Sequence, residues 1–565
     1  MRYTQKSKKS SNFFCLALAL IGAIFVVALV CGLAYYFSVD FNSNVKGPDE
    51  PVLKLGALRV AYSPEKGELF NALVSEFNTQ GRRTTGGDVM QVEAVEMEPE
   101  QMIQAALDGR VDVVNPDSSI WLDQIDRAWM AQKQIDTGLI GETARYAISP
   151  VVIAVWEDVA RSMGYPQKRL GWGDIMTKAA ADPSFKWSHP STSSASGLLA
   201  TLAMFYAGAG KTRGLTIEDA TAESTLEYVS AVQKTVRQYG EGEWAVVQQV
   251  IQQGPGYLDA FVIAEQLVIY YNTAGQKGKL VAIYPREGTL WEDHPLALLE
   301  KADLRPDQRI VFQQFREFLS GKESQQKVLE KGFRPTDLSI PLSGPSSPVA
   351  QLNGVDPIEP QTTLQIPGSS VVEVVRDVWW YTKRRTNVFL VADTSGSMSG
   401  DKISGSREAM SVFLDQIKGD QERVGLVTFS SQVNNIIPLA PLTTNRAHLV
   451  NEIQHMSAGG DTALLDAVWA AYTRLQQLND RERINAIVAM TDGQENNSRI
   501  WLNDLVADIK NTNKNKVPVV IFCVAYGEDA DYDVLEALAE ASGGQVRQGD
   551  LTTIQDLYKT LSTYF

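Results

Sequence analysis

From Phe13 to Phe37 the chain carries only apolar residues, Gly, Cys and Tyr, with no charge. After residue 56 the apolar positions become intermittent. Leu58–Tyr62 predicts a strand, and Leu69, Phe70, Leu73, Val74 and Phe77 then fall on one helical face. Val89–Val95 predicts a second strand, Glu100–Leu107 a helix and Val111–Val114 a third strand. This β-α-β-α-β order implies a mostly parallel sheet with helices on its faces, and the alternation runs to about residue 340. Between 341 and 370 lie Pro341, Pro345, Pro348, Pro357, Pro360 and Pro367, which exclude a regular helix or central strand. A second alternating pattern follows. Its strand candidates are Val388–Ala392, Arg423–Phe429, Ala486–Met490 and Val517–Val524, with a helical pattern at Thr462–Leu475. Trp379 and Trp380, just before it, are expected to pack between linker and domain.

The organisation expected is therefore a tail at 1–12, a transmembrane helix at 13–37, a tether at 38–56, an α/β domain at 57–340, a Pro-rich linker at 341–385 and a second α/β domain at 386–565. At 1.5 Å per residue the first run reaches roughly 37 Å, enough for a hydrocarbon core of about 30 Å. Arg2, Lys6, Lys8 and Lys9 precede it, which places the tail in the cytoplasm and the rest of the chain outside. A secretory signal has an apolar region of about 7–15 residues, so an uncleaved single-pass anchor is expected. Val30 before Cys31 disfavours lipid attachment there.

Composition narrows the function. Of 565 residues, 44% are hydrophobic and 21% charged, an ordinary globular balance for two or three domains. The net charge of −15 argues against binding nucleic acid through its phosphate backbone. Cys523 is the one thiol beyond the apolar run, so the folded part has no internal disulfide.

The chemistry-bearing motif is Asp393-Thr394-Ser395-Gly396-Ser397, directly after the strand Val388–Ala392. Ligands gather at the carboxyl ends of strands in open parallel sheets. One carboxylate and two hydroxyls at alternate positions suit a hard cation, and Gly396 allows the tight turn. Gly459-Gly460-Asp461-Thr462 and Thr491-Asp492-Gly493 stand at the same sheet edge and offer the Thr462 hydroxyl and the Asp492 carboxylate. A helix cap alone would need neither of these.

This D-x-S-x-S, Thr and strand-terminal Asp order resembles the metal ion-dependent adhesion site of von Willebrand factor A domains over about 386–565. The resemblance implies a doubly wound, Rossmann-like fold. It implies that Ser395, Ser397 and Thr462 contact the metal directly or through water, and that Asp393 and Asp492 act mostly through water. Mg²⁺ is the expected ion, with Mn²⁺ and Ca²⁺ as alternatives. The sixth position would be left for a carboxylate of an acidic protein or glycan ligand.

In the first domain, Ser191–Gly197 precedes an apolar helix pattern, and hydroxyls with free N–H groups at a helix start make an anion or polar-ligand site. Ser63 and Ser118-Ser119 follow predicted strands in the same manner. Ile283–Thr289, His294-Pro295 and Gly332-Phe333-Arg334-Pro335 look like the sulfate/phosphate branch of periplasmic solute-binding proteins. That resemblance implies a two-lobed, hinge-closing fold with Ser63, Ser118, Ser119, Ser194 and Ser196 as candidate contacts to a small anion or polar solute.

Other signals fail. Ala207–Thr212 is glycine-rich, but Phe205 stands where a phosphate loop needs its first Gly, so a Gly-capped helix end is expected. His189, His294, His448 and His455 have no zinc-ligand spacing, and no nucleophile–base pairing is visible. The expectation is a membrane-anchored extracytoplasmic binding protein, not an enzyme. The alternative is the solute-binding component of an ABC-type transport system.

Overall fold

The computed structural model describes residues 57–565; the expected tail, anchor and tether at 1–56 lie outside the described residues. No helix among the described residues is long and apolar enough to cross a membrane.

The first domain has two lobes. In lobe 1, β1 (Ala57–Tyr62) runs parallel to β2 (Gln91–Glu96) and β3 (Val113–Asn115). β10 (Pro295–Leu299) is inserted antiparallel between β3 and β4 (Ile140–Arg145), giving the order β2-β1-β3-β10-β4. The helix Gly67–Thr79 buries the predicted face of Leu69, Phe70, Leu73, Val74 and Phe77. Phe77 meets Phe315 edge-on, with ring centroids 5.1 Å apart.

Lobe 2 departs from the parallel expectation. Its long strand β5 (Ala147–Trp156) pairs antiparallel with β7 (Ala260–Ala264), β8 (Leu280–Ile283), β9 (Trp291–Glu292) and β11 (Arg334–Pro335), while β6 (Trp187–Ser188) is parallel to β7. These pairings join segments far apart in sequence, so no local periodicity reports them. The helix Ala195–Ala209 lies in the lobe 2 core, buried from Ala195 to Tyr206, and Gly210 ends it in the left-handed conformation at φ +64. That is the helix end expected in place of a phosphate loop.

The Pro-rich segment also differs in part. Its first portion holds no helix longer than a single turn at Gln351–Asn353. Beyond Pro367, however, Ser369–Thr382 is helical. Val371, Val372, Val375 and Trp379 form a helical apolar stripe, and all four are buried in the lobe 2 core. The last third of the expected 341–385 linker is thus a strap helix belonging to lobe 2. Trp379 packs edge-on against both Tyr239 and Trp380. The strap also touches lobe 1: Arg127 pairs with Glu373, and Arg376 Nη1 donates to Gln124 Oε1 at 3.0 Å.

The C-terminal domain is doubly wound. Its sheet order is β14-β13-β12-β15-β16-β17, built from β12 (Thr386–Asp393), β13 (Arg423–Phe429), β14 (Val433–Pro441), β15 (Ile484–Thr491), β16 (Val519–Tyr526) and β17 (Val546–Gly549). All pairs are parallel except the antiparallel edge β14. Val388, Leu390 and Ala392 enter one hydrophobic cluster, and Phe389 and Val391 enter the other. Helices cover both faces, which is why these strands are continuously apolar.

The domain sits on lobe 2 through the amino ends of its strands. Lys383 is buried, pairs with Glu422 at 2.9 Å and donates to the Phe565 carbonyl. The Arg384 N–H donates to the Tyr239 hydroxyl at 2.7 Å, Arg547 pairs with Glu241 at 2.6 Å, and Gln249 donates to Gln545 at 2.9 Å.

Candidate functional site

The carboxyl ends of β12 and β15, opposite that docked edge, carry the predicted metal residues. Asp393 ends β12 and is fully buried. Its Oδ1 accepts the Ser395 N–H at 2.7 Å, and its other oxygen accepts the Thr491 hydroxyl. Burial pushes the Asp393 carboxyl above its usual range; the hydrogen bonds from Thr491 and Ser395 pull it back, and Asp492 repels it. The Ser395 and Ser397 hydroxyls lie 3.0 Å apart, and Ser397 Oγ donates to Asp492 Oδ1 at 2.6 Å. A Cβ at Gly493 would lie 3.2 Å from Ser397 Oγ and 3.5 Å from Thr462 Oγ1, so the Thr462 hydroxyl borders the same point.

Backbone bonds clamp the loops. Gly396 N–H donates to Gly460 O at 2.9 Å, and Gly459 N–H to Thr394 O at 2.8 Å. Gly460, at φ +89, adopts a conformation that glycine favours, and a Cβ there would lie 2.7 Å from Ser431 Oγ. Asn496 Oδ1 accepts the Thr462 N–H at 2.9 Å and fixes that loop from β15's side.

All five predicted residues therefore come together. The donor set is two carboxylates and three hydroxyls, all hard oxygen, which fits Mg²⁺, Mn²⁺ or Ca²⁺ and does not suit a soft metal. Asp393 and Asp492 are buried while Ser397 is exposed, so the cluster opens outward. Sequence reasoning missed Lys402, whose Nζ lies 2.6 Å from Asp492 Oδ2. It stands on the helix Asp401–Gln416, just past the motif, and its position in the first helical turn was the available signal.

The serines of the first domain are placed less simply. They do gather where the lobes meet, but most are engaged locally. Ser63 donates to Glu65 Oε1 at 2.8 Å. Ser194 caps the helix Ala195–Ala209 by accepting the Gly197 N–H at 3.2 Å, and Ser118 Oγ accepts the Ile120 N–H. Ser119 is partly exposed, and its N–H donates to Asp293 Oδ1 at 2.7 Å. Ser196 is buried, with an unpartnered hydroxyl.

Around them the cleft is acidic. Asp117 accepts the Ala195 N–H, so a carboxylate of the chain itself takes the helix start where an anion was expected. Burial, together with Glu65, raises Asp117 to about 7, and burial with Glu241 raises Glu98 to about 8. Glu243 and Glu292 are buried, and burial first, then repulsion from neighbouring carboxylates, pushes both well above the carboxylate range. His294 is fully buried beside Glu65, and burial, then Lys66, lowers it well below the usual histidine value, keeping it neutral. None of these carboxylates had a local sequence signal, because they meet only through the fold. They line the cleft beside the serines expected to contact a small anion or polar solute.

Two family models match the chain. Residues 387–560 match the von Willebrand factor type A domain, and residues 58–334 match the bacterial extracellular solute-binding protein family. Among curated relatives, inter-alpha-trypsin inhibitor heavy chain H4 of Homo sapiens is 30% identical over 194 residues, 31% of this chain and 20% of the relative. The Bos taurus protein of the same name is 27% identical over 42% of this chain and 25% of its own length. The chain thus spans a fifth to a quarter of these relatives. Among solved structures, the sulfate-binding protein SubI from Mycobacterium tuberculosis is 18% identical, covering 50% of this chain and 88% of that one, with a TM-score of 0.37. A von Willebrand factor type A protein from Catenulispora acidiphila is 21% identical, covering 32% and 42%, with a TM-score of 0.28.

Proposed function

We propose that this chain, which joins a solute-binding-protein-like domain to a von Willebrand factor A domain, is a binding protein that captures an acidic group of a protein or glycan through a divalent cation held at its C-terminal domain. The observation that carries this reading is the convergence of Asp393, Ser395, Ser397, Thr462 and Asp492 at an exposed sheet edge, remote from the docked edge. A bound dication would supply positive charge and an open coordination position for a carboxylate. The side chains do the rest. Asp393 holds the Ser395 backbone in place, Ser397 and Asp492 face each other across the opening, and Thr462 closes the third side.

Charge supports the same reading. Asp393 and Asp492 contribute two negative charges and Lys402 one positive, so a dication leaves a net positive centre. Such a centre attracts an anionic group. The anchor at Phe13–Phe37 belongs to the proposal: it would hold the binding domains outside a membrane, and cell fractionation of the full chain checks it. The test of the binding role is a pull-down with the full chain in Mg²⁺, Mn²⁺ or EDTA. Partner capture should need the metal and be lost in Asp393→Ala. Capture that survives both EDTA and this substitution sinks the reading.

A further inference from the structure

We propose that the pocket between the two lobes of the first domain binds a small organic cation, an ammonium compound, rather than an oxyanion. This rests on the reading of residues 57–340 as a solute-binding domain and names its ligand class.

The pocket is a cavity of about 320 Å³ with walls from both lobes. Lobe 1 contributes Glu65 and Glu96, and lobe 2 contributes Trp244, Gln266 and Tyr270. Trp244 and Tyr270 are each half-buried and form a tilted aromatic pair with centroids 5.3 Å apart. Aromatic faces attract an ammonium through their quadrupole, and a nearby carboxylate adds to the attraction. The pocket's own cation, Lys331, lies at the rim and is paired with Glu68 at 3.1 Å. Glu65 is paired with the buried Lys66 at 3.3 Å, whereas Glu96 accepts the Tyr62 hydroxyl at 3.2 Å and has no ion-pair partner among the described residues, so Glu96 is the carboxylate left for a ligand cation.

Gln266 points independently to a ligand. It is 2% exposed and lines the cavity, and neither its amide nitrogen nor its oxygen has a hydrogen-bond partner. A buried unsatisfied amide is costly unless a ligand completes it, and its oxygen can accept from an N–H or O–H of the bound molecule.

The helix starts near the pocket would ordinarily favour an anion. Each already meets a carboxylate: Asp117 takes the Ala195 N–H, Glu243 begins the helix Glu243–Gln253, and Glu265 begins the helix Glu265–Thr273. Glu265 is itself paired with Arg334 at 2.6 Å, and its charge stays inside the protein. What remains open to a solute is acidic, aromatic and amide surface.

The test is calorimetric titration of the full chain with choline, putrescine, spermidine and arginine, with sulfate, phosphate and glucose as comparison solutes. At least one ammonium compound should bind. The affinity should fall about tenfold or more in Trp244→Ala and in Glu96→Gln, and Gln266→Glu should retain or strengthen binding. Circular dichroism and a melting temperature close to the parent's for each variant report that the first domain is folded. Binding of glucose alone overturns the cation inference and leaves the solute-binding reading standing. Binding of sulfate or phosphate alone overturns it in favour of the family's usual ligands. No binding of any probe overturns both.

Discussion

The Lys402 ammonium lies 2.6 Å from Asp492 Oδ2, while Oδ1 of the same carboxylate accepts the Ser397 hydroxyl. Asp492 is thus shared between a fixed cation on one side and the proposed metal position on the other. In Lys402→Gln a positive charge is removed from beside a dication. Metal affinity should rise roughly tenfold, while affinity for the acidic partner falls, because the loaded centre is less positive. Calorimetry of Mn²⁺ binding and a separate partner titration measure the two opposite shifts. A change of both in the same direction contradicts the charge argument.

Ser397 and Asp393 should separate binding from stability. Ser397 is exposed, so Ser397→Ala should weaken metal binding and leave unfolding within about 0.5 kcal/mol of the parent. Asp393 is buried and accepts from Ser395 and Thr491, so Asp393→Ala should abolish metal binding and also cost about 1–3 kcal/mol. Denaturant melts of both variants in EDTA check the difference.

The cleft carboxyls predict a pH dependence. Glu98 moves from 4.5 to about 8 and Asp117 from 3.8 to about 7, both through burial first. The native state therefore keeps protons that the unfolded chain has already released. The sign follows: this stabilisation is complete below the unfolded values and is lost as pH rises through about 7 and 8. Unfolding free energy of the first domain should decline between pH 5 and 8, by about the linkage relation. Glu98→Gln should flatten that decline. A stability that climbs over the same interval contradicts the buried, closed cleft.

Trp379→Ala should destabilise lobe 2 by about 3–5 kcal/mol, since the side chain is 1% exposed among Tyr239, Trp380 and the strap helix stripe. Metal binding by the C-terminal domain should persist, because its clusters are built from its own strands and helices. Unfolding followed alongside Mn²⁺ titration distinguishes the two effects.

What the sequence revealed depended on the range of each interaction. β12, β13, β15 and β16 were legible because strands buried on both faces read as continuous apolar runs. The metal residues were legible because each sits at a strand end or helix start with its own short pattern. β14 was not: Val433–Pro441 is half-exposed, with Asn434, Asn435 and Pro438 inside it, and belongs to an edge. The antiparallel crossings of β5 and the meeting of Asp117, Glu243 and Glu292 depend on contacts across many residues, which no window of sequence contains. The strap helix at Ser369–Thr382 was obscured by the prolines ahead of it.

Only Lys383, Arg384 and Arg385 separate the strap helix from β12, and Lys383 and Arg384 are bonded into both neighbours. The two modules are consequently not beads on a string. Lobe 2 and the C-terminal domain meet like a hand on a rigid wrist, and the strap ties that wrist to lobe 1 through Arg127–Glu373 and Arg376–Gln124. The metal edge therefore faces a direction that the strap sets relative to the cleft.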